Sequence, residues 1–182
     1  MGDALHDQTF FAFYGLLQVQ ARTTELISRE LEARTGLAAS WYELMACLQG
    51  CGDEGCRMNE LADELLISRG GATKLVARLE EAGYLRRFTP AHDRRATYAQ
   101  LTDAGRAAVE AAHPVQLELT KQHFGRFLTD EETMTLVRIS SKVLAGVGAE
   151  CTWLNVALEE LGDAAAGAST DGVGTAAAAG KV

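Results

Sequence analysis

The chain has 182 residues, 17 Lys and Arg against 25 Asp and Glu for a formal net charge of -8, and 47% hydrophobic residues. That length predicts one domain with tails; the apolar fraction excludes wholesale disorder, and no apolar run approaches the roughly 20 residues of a membrane span. The N-terminal residues lack the basic and apolar regions of a signal peptide, so a cytoplasmic chain with reduced cysteines and no membrane partner is expected.

Between Leu5 and Arg34 there is no Pro and one Gly, while Phe10, Phe13, Tyr14, Leu17, Ala21, Leu26, Ile27 and Leu31 recur at helical spacing, predicting one long helix. Gly36 supplies a left-handed C-terminal cap, and Ser40-Trp41-Tyr42-Glu43 reads as a capping box opening a short helix over about 41–49. Gly50, Gly52 and Gly55 make a loop, after which Asn59 is placed to cap a helix carrying Leu61, Ala62, Leu65 and Leu66 on one face. Ser68 is the cap expected for a helix over about 69–82, with Ala72, Leu75, Val76 and Leu79 as its apolar stripe and Gly83 at its end.

The segments 84–89 and 95–101 are rich in aromatic, Thr and Arg residues and flank the turn-prone Pro90-Ala91-His92-Asp93, which predicts a β-hairpin. Thr102 caps a helix over about 103–127 in which Pro114 removes the hydrogen bond to the Glu110 carbonyl and predicts a kink. Thr129-Asp130-Glu131-Glu132 is a second capping box, opening a helix that carries Leu136, Val137, Ile139, Val143 and Leu144 and continues, frayed, to Leu161. Residues 162–182 are Ala, Gly, Ser and Thr without apolar periodicity, the composition of a disordered tail.

Charge is uneven along this order. Residues 1–65 carry 4 basic and 11 acidic side chains, residues 66–99 carry 7 and 3, and residues 100–182 carry 6 and 11. One basic segment between acidic flanks is what a localised phosphate-binding surface on an anion-repelling body requires.

The order of four helices, a β-hairpin and two further helices contains a three-helix core followed by a wing. Three stretches carry a resemblance: Asn59-Glu60-Leu61-Ala62, then Ser68 through Gly83-Tyr84-Leu85-Arg86-Arg87, and above all Asp93-Arg94-Arg95 joined to Leu101-Thr102-Asp103-Ala104-Gly105-Arg106. Over roughly residues 10–147 the chain resembles the MarR family of transcriptional regulators. The resemblance implies a mainly α winged helix-turn-helix with a small β-hairpin. Its DNA-binding core is placed at about 37–101 and its dimerisation helices at about 5–34 and 103–161, all within one domain over 1–161.

A helix presenting Arg69, Thr73, Lys74 and Arg78, entered through Ser68 and Gly70, fits the major groove of double-stranded DNA, where Arg donates two hydrogen bonds to guanine and Thr meets a base edge or a thymine methyl. Gly70 and Gly71 each cost about 1 kcal/mol relative to Ala in a helix interior; close backbone approach to DNA or to the wing is one reason, and a place in the preceding turn is another. In the wing, Arg94 and Arg95 are the candidate DNA contacts, Arg94 toward the minor groove or a phosphate, and Asp93 is the candidate for holding an arginine in place. The resemblance implies the same, with the Asp fixing the wing and the first Arg meeting DNA. Arg86 and Arg87 alternate across a strand, so at most one is expected to face DNA.

A two-fold dimer reading an inverted-repeat operator follows from the small reach of one winged helix. Phe10, Phe11, Phe13, Leu144, Trp153 and Leu154 supply its apolar interface unless they pack internally. The resemblance also implies release from DNA by a small ligand, often an aromatic acid; Tyr14, Arg22, Trp41, Met45 and His113 are the candidate lining. Arg22 would then supply the fork for a carboxylate unless it pairs with Glu25.

Cys47, Cys51, Cys56 and Cys151 match neither a zinc spacing nor the N-terminal cysteine of peroxide-sensing relatives, and Cys47 reads as a small buried hydrophobe. No metal or cofactor is expected, and no enzyme motif is present. A redox- or metal-responsive regulator and a winged helix used for protein association are the competing assignments.

Overall fold

The computed structural model describes residues 7–90, 93 and 95–149. Among these the order is α1 (Gln8–Thr35), α2 (Ala39–Gly50), β1 (Cys56–Arg57), α3 (Met58–Glu64), α4 (Arg69–Glu81), β2 (Leu85–Phe88), β3 (Tyr98–Leu101), α5 (Asp103–His123) and α6 (Asp130–Gly146). This is a mainly helical fold with one small antiparallel sheet, ordered β1-β3-β2. The chain divides into a unit up to Phe127 and a second from Leu128.

The first unit closes around Leu31 and Leu37, Leu44, Met45 and Leu48 of α2, Leu61 of α3, Val76 and Leu79 of α4, Leu85 and Leu101 of the sheet, and Val109, Ala112 and Leu119 of α5. Each such Leu or Val stabilises the fold by about 1.5–3 kcal/mol relative to remaining exposed. Only the C-terminal part of α1 joins this core. Its first half leaves Phe10, Phe11, Phe13, Tyr14, Leu16, Leu17 and Val19 exposed. Helix α6 in the second unit opens on the Thr129 capping box, in which Thr129 N–H donates to Glu132 Oε2 at 2.8 Å and Glu132 N–H to Thr129 Oγ1 at 3.2 Å.

Several expected boundaries shift. Helix α2 starts at Ala39 with Ala38 as its uncapped N-cap, so Ser40 lies inside the first turn and makes no cap. Helix α3 starts at Met58 rather than after Asn59: Arg57 N–H donates to Glu60 Oε2 at 3.3 Å, because pairing of Cys56 and Arg57 with β3 fixes the cap two residues earlier. That short strand β1 was not expected; two residues are too few to carry a period. Helix α5 ends at His123, with a 3-10 turn over Gly125–Phe127, instead of running to 127. Helix α6 ends at Gly146. Residues 150–182, including Cys151, Trp153, Leu154 and the Ala/Gly-rich tail, lie outside the described residues.

Helices α3 and α4 end in the same way. After α4, Tyr84 N–H donates to the Leu79 carbonyl at 2.9 Å and Gly83 N–H to Glu80 at 3.0 Å; after α3, Ile67 N–H donates to Ala62 at 3.0 Å and Leu66 N–H to Asp63 at 3.2 Å. Both are Schellman turns, which need a left-handed residue at their second position. Gly83 has φ 80°, whereas Leu66 adopts φ 54° with its side chain 93% exposed.

Candidate nucleic-acid interface

Helix α4 is capped by Ser68, whose Oγ accepts from Gly71 N–H at 3.1 Å. Its apolar stripe, Ala72, Val76 and Leu79, is buried, which turns Arg69, Gly70, Thr73, Lys74 and Arg78 to solvent. Thr73 Oγ1 donates to the Arg69 carbonyl at 2.9 Å. A Cβ at Gly70 would meet open space, while one at Gly71 would press on Ser68 Oγ at 3.2 Å. Crowding against the cap accounts for Gly71 alone; no contact within the chain accounts for Gly70.

The wing is tied down from β1. Arg57 Nη2 donates to Asp93 Oδ2 at 2.7 Å and its Nε to the Tyr98 hydroxyl at 2.7 Å. The other carboxylate oxygen of Asp93 accepts Arg95 N–H at 3.2 Å. The arginine that Asp93 holds is therefore Arg57, a residue outside the candidates read from the sequence. Its signal was faint, one Arg beside a Cys ahead of α3. Arg94 lies outside the described residues.

Arg57, Asn59, Thr73, Arg87, Arg95 and Thr97 line a groove of about 370 Å³ between the start of α3, the face of α4 and the wing. Both strand arginines are engaged within the chain, where at most one was expected to face DNA. Arg86 donates to Gln100 Oε1 from Nε at 3.1 Å and Nη2 at 2.7 Å, and Arg87 Nε donates to Glu80 Oε2 at 2.7 Å. The hydrogen bond from Arg87 holds the Glu80 carboxyl below the usual carboxylate range. Among the described residues, the side chains of Arg69, Lys74, Arg78 and Arg95 have no carboxylate partner. Three such cations on the exposed side of α4 and one in the wing give an acidic chain a surface suited to phosphates.

The five candidate effector residues have different surroundings. Met45 is fully buried in the core, Trp41 packs edge-on against Tyr84 at 6.0 Å, and His113 Nδ1 lies 2.8 Å from the Tyr42 hydroxyl. Tyr14 and Arg22 are exposed on α1. None of them lines the cleft of about 260 Å³ formed by Arg34, Thr35, Leu37, Tyr84, Ala108, Ala111, Ala112 and Val115. At its rim Arg34 forms a two-pronged pair with Glu118, at 3.2 and 2.8 Å.

The cysteines correct an expectation. Cys51 and Cys56 are joined in a disulfide, not reduced. Gly52 at φ 61° and Gly55 at φ 70° reverse the chain between them, leaving the two Cα atoms 5.7 Å apart, within disulfide range. Cys47 keeps a free thiol, and burial, with Glu64 nearby, pushes its pKa up to about 11.

No helix among the described residues is long and apolar enough to cross a membrane. Helix-turn-helix, wing and exposed basic face define a winged-helix protein. Residues 45–96 match the MarR family model. An HTH-type transcriptional regulator of Bacillus cereus is 34% identical over 84 residues, 46% of this chain, so that the chain spans about half, 55%, of that relative's length. The HTH-type transcriptional regulator PecS of Dickeya dadantii is 29% identical over 117 residues, covering 62% of this chain and 70% of PecS. Sco3205, a MarR family transcriptional regulator of Streptomyces coelicolor solved in complex with DNA, superposes with a TM-score of 0.69 at 27% identity, over 75% of this chain and 89% of Sco3205. Over residues 45–96 the chain is similar to the MarR family, and its fold is that of MarR-family winged-helix structures.

Proposed function

We propose that the protein is a homodimeric, sequence-specific regulator of transcription that binds an inverted repeat in double-stranded DNA. The observation that carries this is the outward face of α4, with Arg69, Thr73, Lys74 and Arg78 free of carboxylate partners beside a wing fastened by Arg57 and Asp93. Arg78 and Thr73 read base edges; Ser68, Arg69, Gly70 and Lys74 approach the backbone; Arg94 and Arg95 hold the wing on phosphate or in the minor groove. Dimerisation through α1 and the C-terminal helices covers the exposed Phe10, Phe13 and Leu17, and sets two α4 helices about 34 Å apart.

The regulator acts as a repressor released by a small aromatic carboxylate. The cleft beside Tyr84 supports this: it is apolar along α5, and Arg34 at its rim offers a carboxylate fork in exchange for Glu118. Tyr14, Arg22, Trp41 and His113 enter such a site only if ligand or dimer formation rearranges α1 and α2.

Selection of sites from a random duplex library, followed by binding at several salt concentrations, tests the assignment. An enriched inverted repeat bound with a steep salt slope is expected. Absence of enrichment, with weak and purely salt-driven binding, overturns it in favour of a protein partner.

A further inference from the structure

The segment Cys51-Gly52-Asp53-Glu54-Gly55-Cys56 is connected to the wing at every turn. Cys56 pairs with Ala99 of β3, and Arg57, the next residue, holds Asp93 and Tyr98. Gly55 lies so close to the Ala99 carbonyl that a Cβ there would overlap it. Gln100, buried in the sheet, donates from Nε2 to the Asp53 carbonyl at 2.6 Å while its Oε1 receives Arg86. Arg106 Nη1 lies 3.6 Å from Asp53 Oδ1. The loop closed by the disulfide is thus the support on which β1, β3 and the anchoring arginine rest.

We propose that Cys51 and Cys56 form a reversible oxidation site whose thiol or disulfide state sets the order of the wing and, resting on the DNA-binding assignment above, the affinity for DNA. The partner chemistry is exchange with a low-molecular-weight thiol and its disulfide. Cys51 is half-buried and Cys56 is 3% exposed, so the incoming thiolate attacks Cys51 Sγ. A mixed disulfide forms at Cys51, the Cys51–Cys56 bond breaks, and Cys56 leaves as a thiolate that takes up a proton. A second small thiolate attacks the outer sulfur of the mixed disulfide, releasing Cys51 as a thiolate, which is protonated, and one molecule of the small disulfide. Two electrons and two protons pass from the two small thiols to the pair, and oxidation runs the same steps backwards. Once the bond is open, the loop with its two left-handed glycines has no covalent closure, and β1 loses the constraint that keeps Arg57 in register with Asp93.

The test uses the full chain, oxidised and then reduced with dithiothreitol without denaturant, with the state of Cys51 and Cys56 read by alkylation and peptide mass. Amide hydrogen exchange of peptides covering 56–57 and 95–101 comes first, because it requires no DNA. Reduction is expected to speed exchange there and leave α5 unchanged, and Cys51→Ser is expected to exchange like the reduced chain whether or not oxidised glutathione is present. Cys47→Ala is expected to keep the full response. Affinity for the selected duplex is expected to fall about fivefold or more on reduction, the lower end of ordinary coupling between two sites, and to return with oxidised glutathione. A pair that stays reduced in oxidised glutathione, wing peptides that exchange alike in both states, or a response that disappears in Cys47→Ala overturns the proposal. Wing exchange that responds while neither state binds any duplex supports the oxidation site and removes the DNA-binding assignment instead.

Discussion

Arg57 Nη2 and Asp93 Oδ2 meet at 2.7 Å, joining the residue that precedes α3 to the tip side of the wing. The same guanidinium donates to Tyr98, so one side chain uses two directions of its fork on two parts of the hairpin. An ammonium group offers no such planar pair of donors. Arg57→Ala is expected to weaken DNA binding about tenfold, a loss of roughly 1.4 kcal/mol, and Arg57→Lys to recover only part of it. Fluorescence anisotropy with the selected duplex measures both; an Ala variant that binds like the wild type removes Arg57 from the anchoring of the wing.

Arg95 and Arg87 border the same groove but differ in their electrostatic state. Arg95 has no carboxylate partner among the described residues, whereas Arg87 is neutralised by Glu80. Each phosphate neutralised contributes about 0.9 to the slope of log affinity against log salt. Arg95→Ala is therefore expected to reduce the slope by about 1, and Arg87→Ala by clearly less. Equal slopes for the two variants would contradict the pairing.

Arg78 and Thr73 are assigned to base edges instead. Arg78→Ala is expected to lose about 1–3 kcal/mol of discrimination at one position per half-site while the salt slope changes little. Selection repeated with the variant reads this directly, and an unchanged site logo would move Arg78 to the backbone contacts.

Leu66 and Gly83 occupy equivalent positions in two Schellman turns, at φ 54° and φ 80°. A non-glycine residue in this region costs roughly 1–2 kcal/mol, and Leu66 recovers little of that by burial because it is almost fully exposed. Leu66→Gly is expected to stabilise the chain by about 0.5–1 kcal/mol, and Gly83→Ala to destabilise it by about 1 kcal/mol. Urea denaturation compares them; a loss of stability in Leu66→Gly would point to a partner that covers the exposed leucine.

Cys47 is held protonated by burial, its pKa pushed from 9.0 to about 11. A raised value in the folded chain means that the contribution of this group to stability is complete below pH 9 and is lost as pH rises toward about 11. In a variant retaining Cys47 as its single cysteine, alkylation at pH 8 should be slow, and its rate should climb with pH beyond 9. Rapid alkylation at neutral pH would show an accessible thiolate there.

The helices and hairpin were legible because their signals are local: Gly36, Ser68, Gly83, Thr102 and Thr129 mark ends by chemistry confined to one turn. Ser40 and Asn59 carried equally good cap chemistry and were overridden, Asn59 because β1 pairs with Ala99, 43 residues on in the register. The same non-local pairing hid Arg57 and brought Cys51 and Cys56 together. The face of α4 could be read from its apolar stripe, since burying Val76 and Leu79 leaves one orientation for Thr73 and Arg78. Which arginines were already spent on carboxylates could not be read, because Glu80 and Arg87 meet only across the turn at Gly83.

The glycine in Leu101-Thr102-Asp103-Ala104-Gly105-Arg106 has a mechanical consequence. Gly105 lies against the Tyr84 carbonyl so closely that any side chain would collide with it, and Thr102 donates to Tyr84 from its N–H at 3.0 Å and to Gly83 from its hydroxyl at 2.7 Å. The start of α5 is in this way latched to the turn that ends α4. Helix α5 extends about 30 Å from that latch. In the proposed dimer it would work as a crank: a tilt imposed at its far end would reach the outward face of α4 as a rotation, and the distance between two such helices would be the quantity through which a remote event is read.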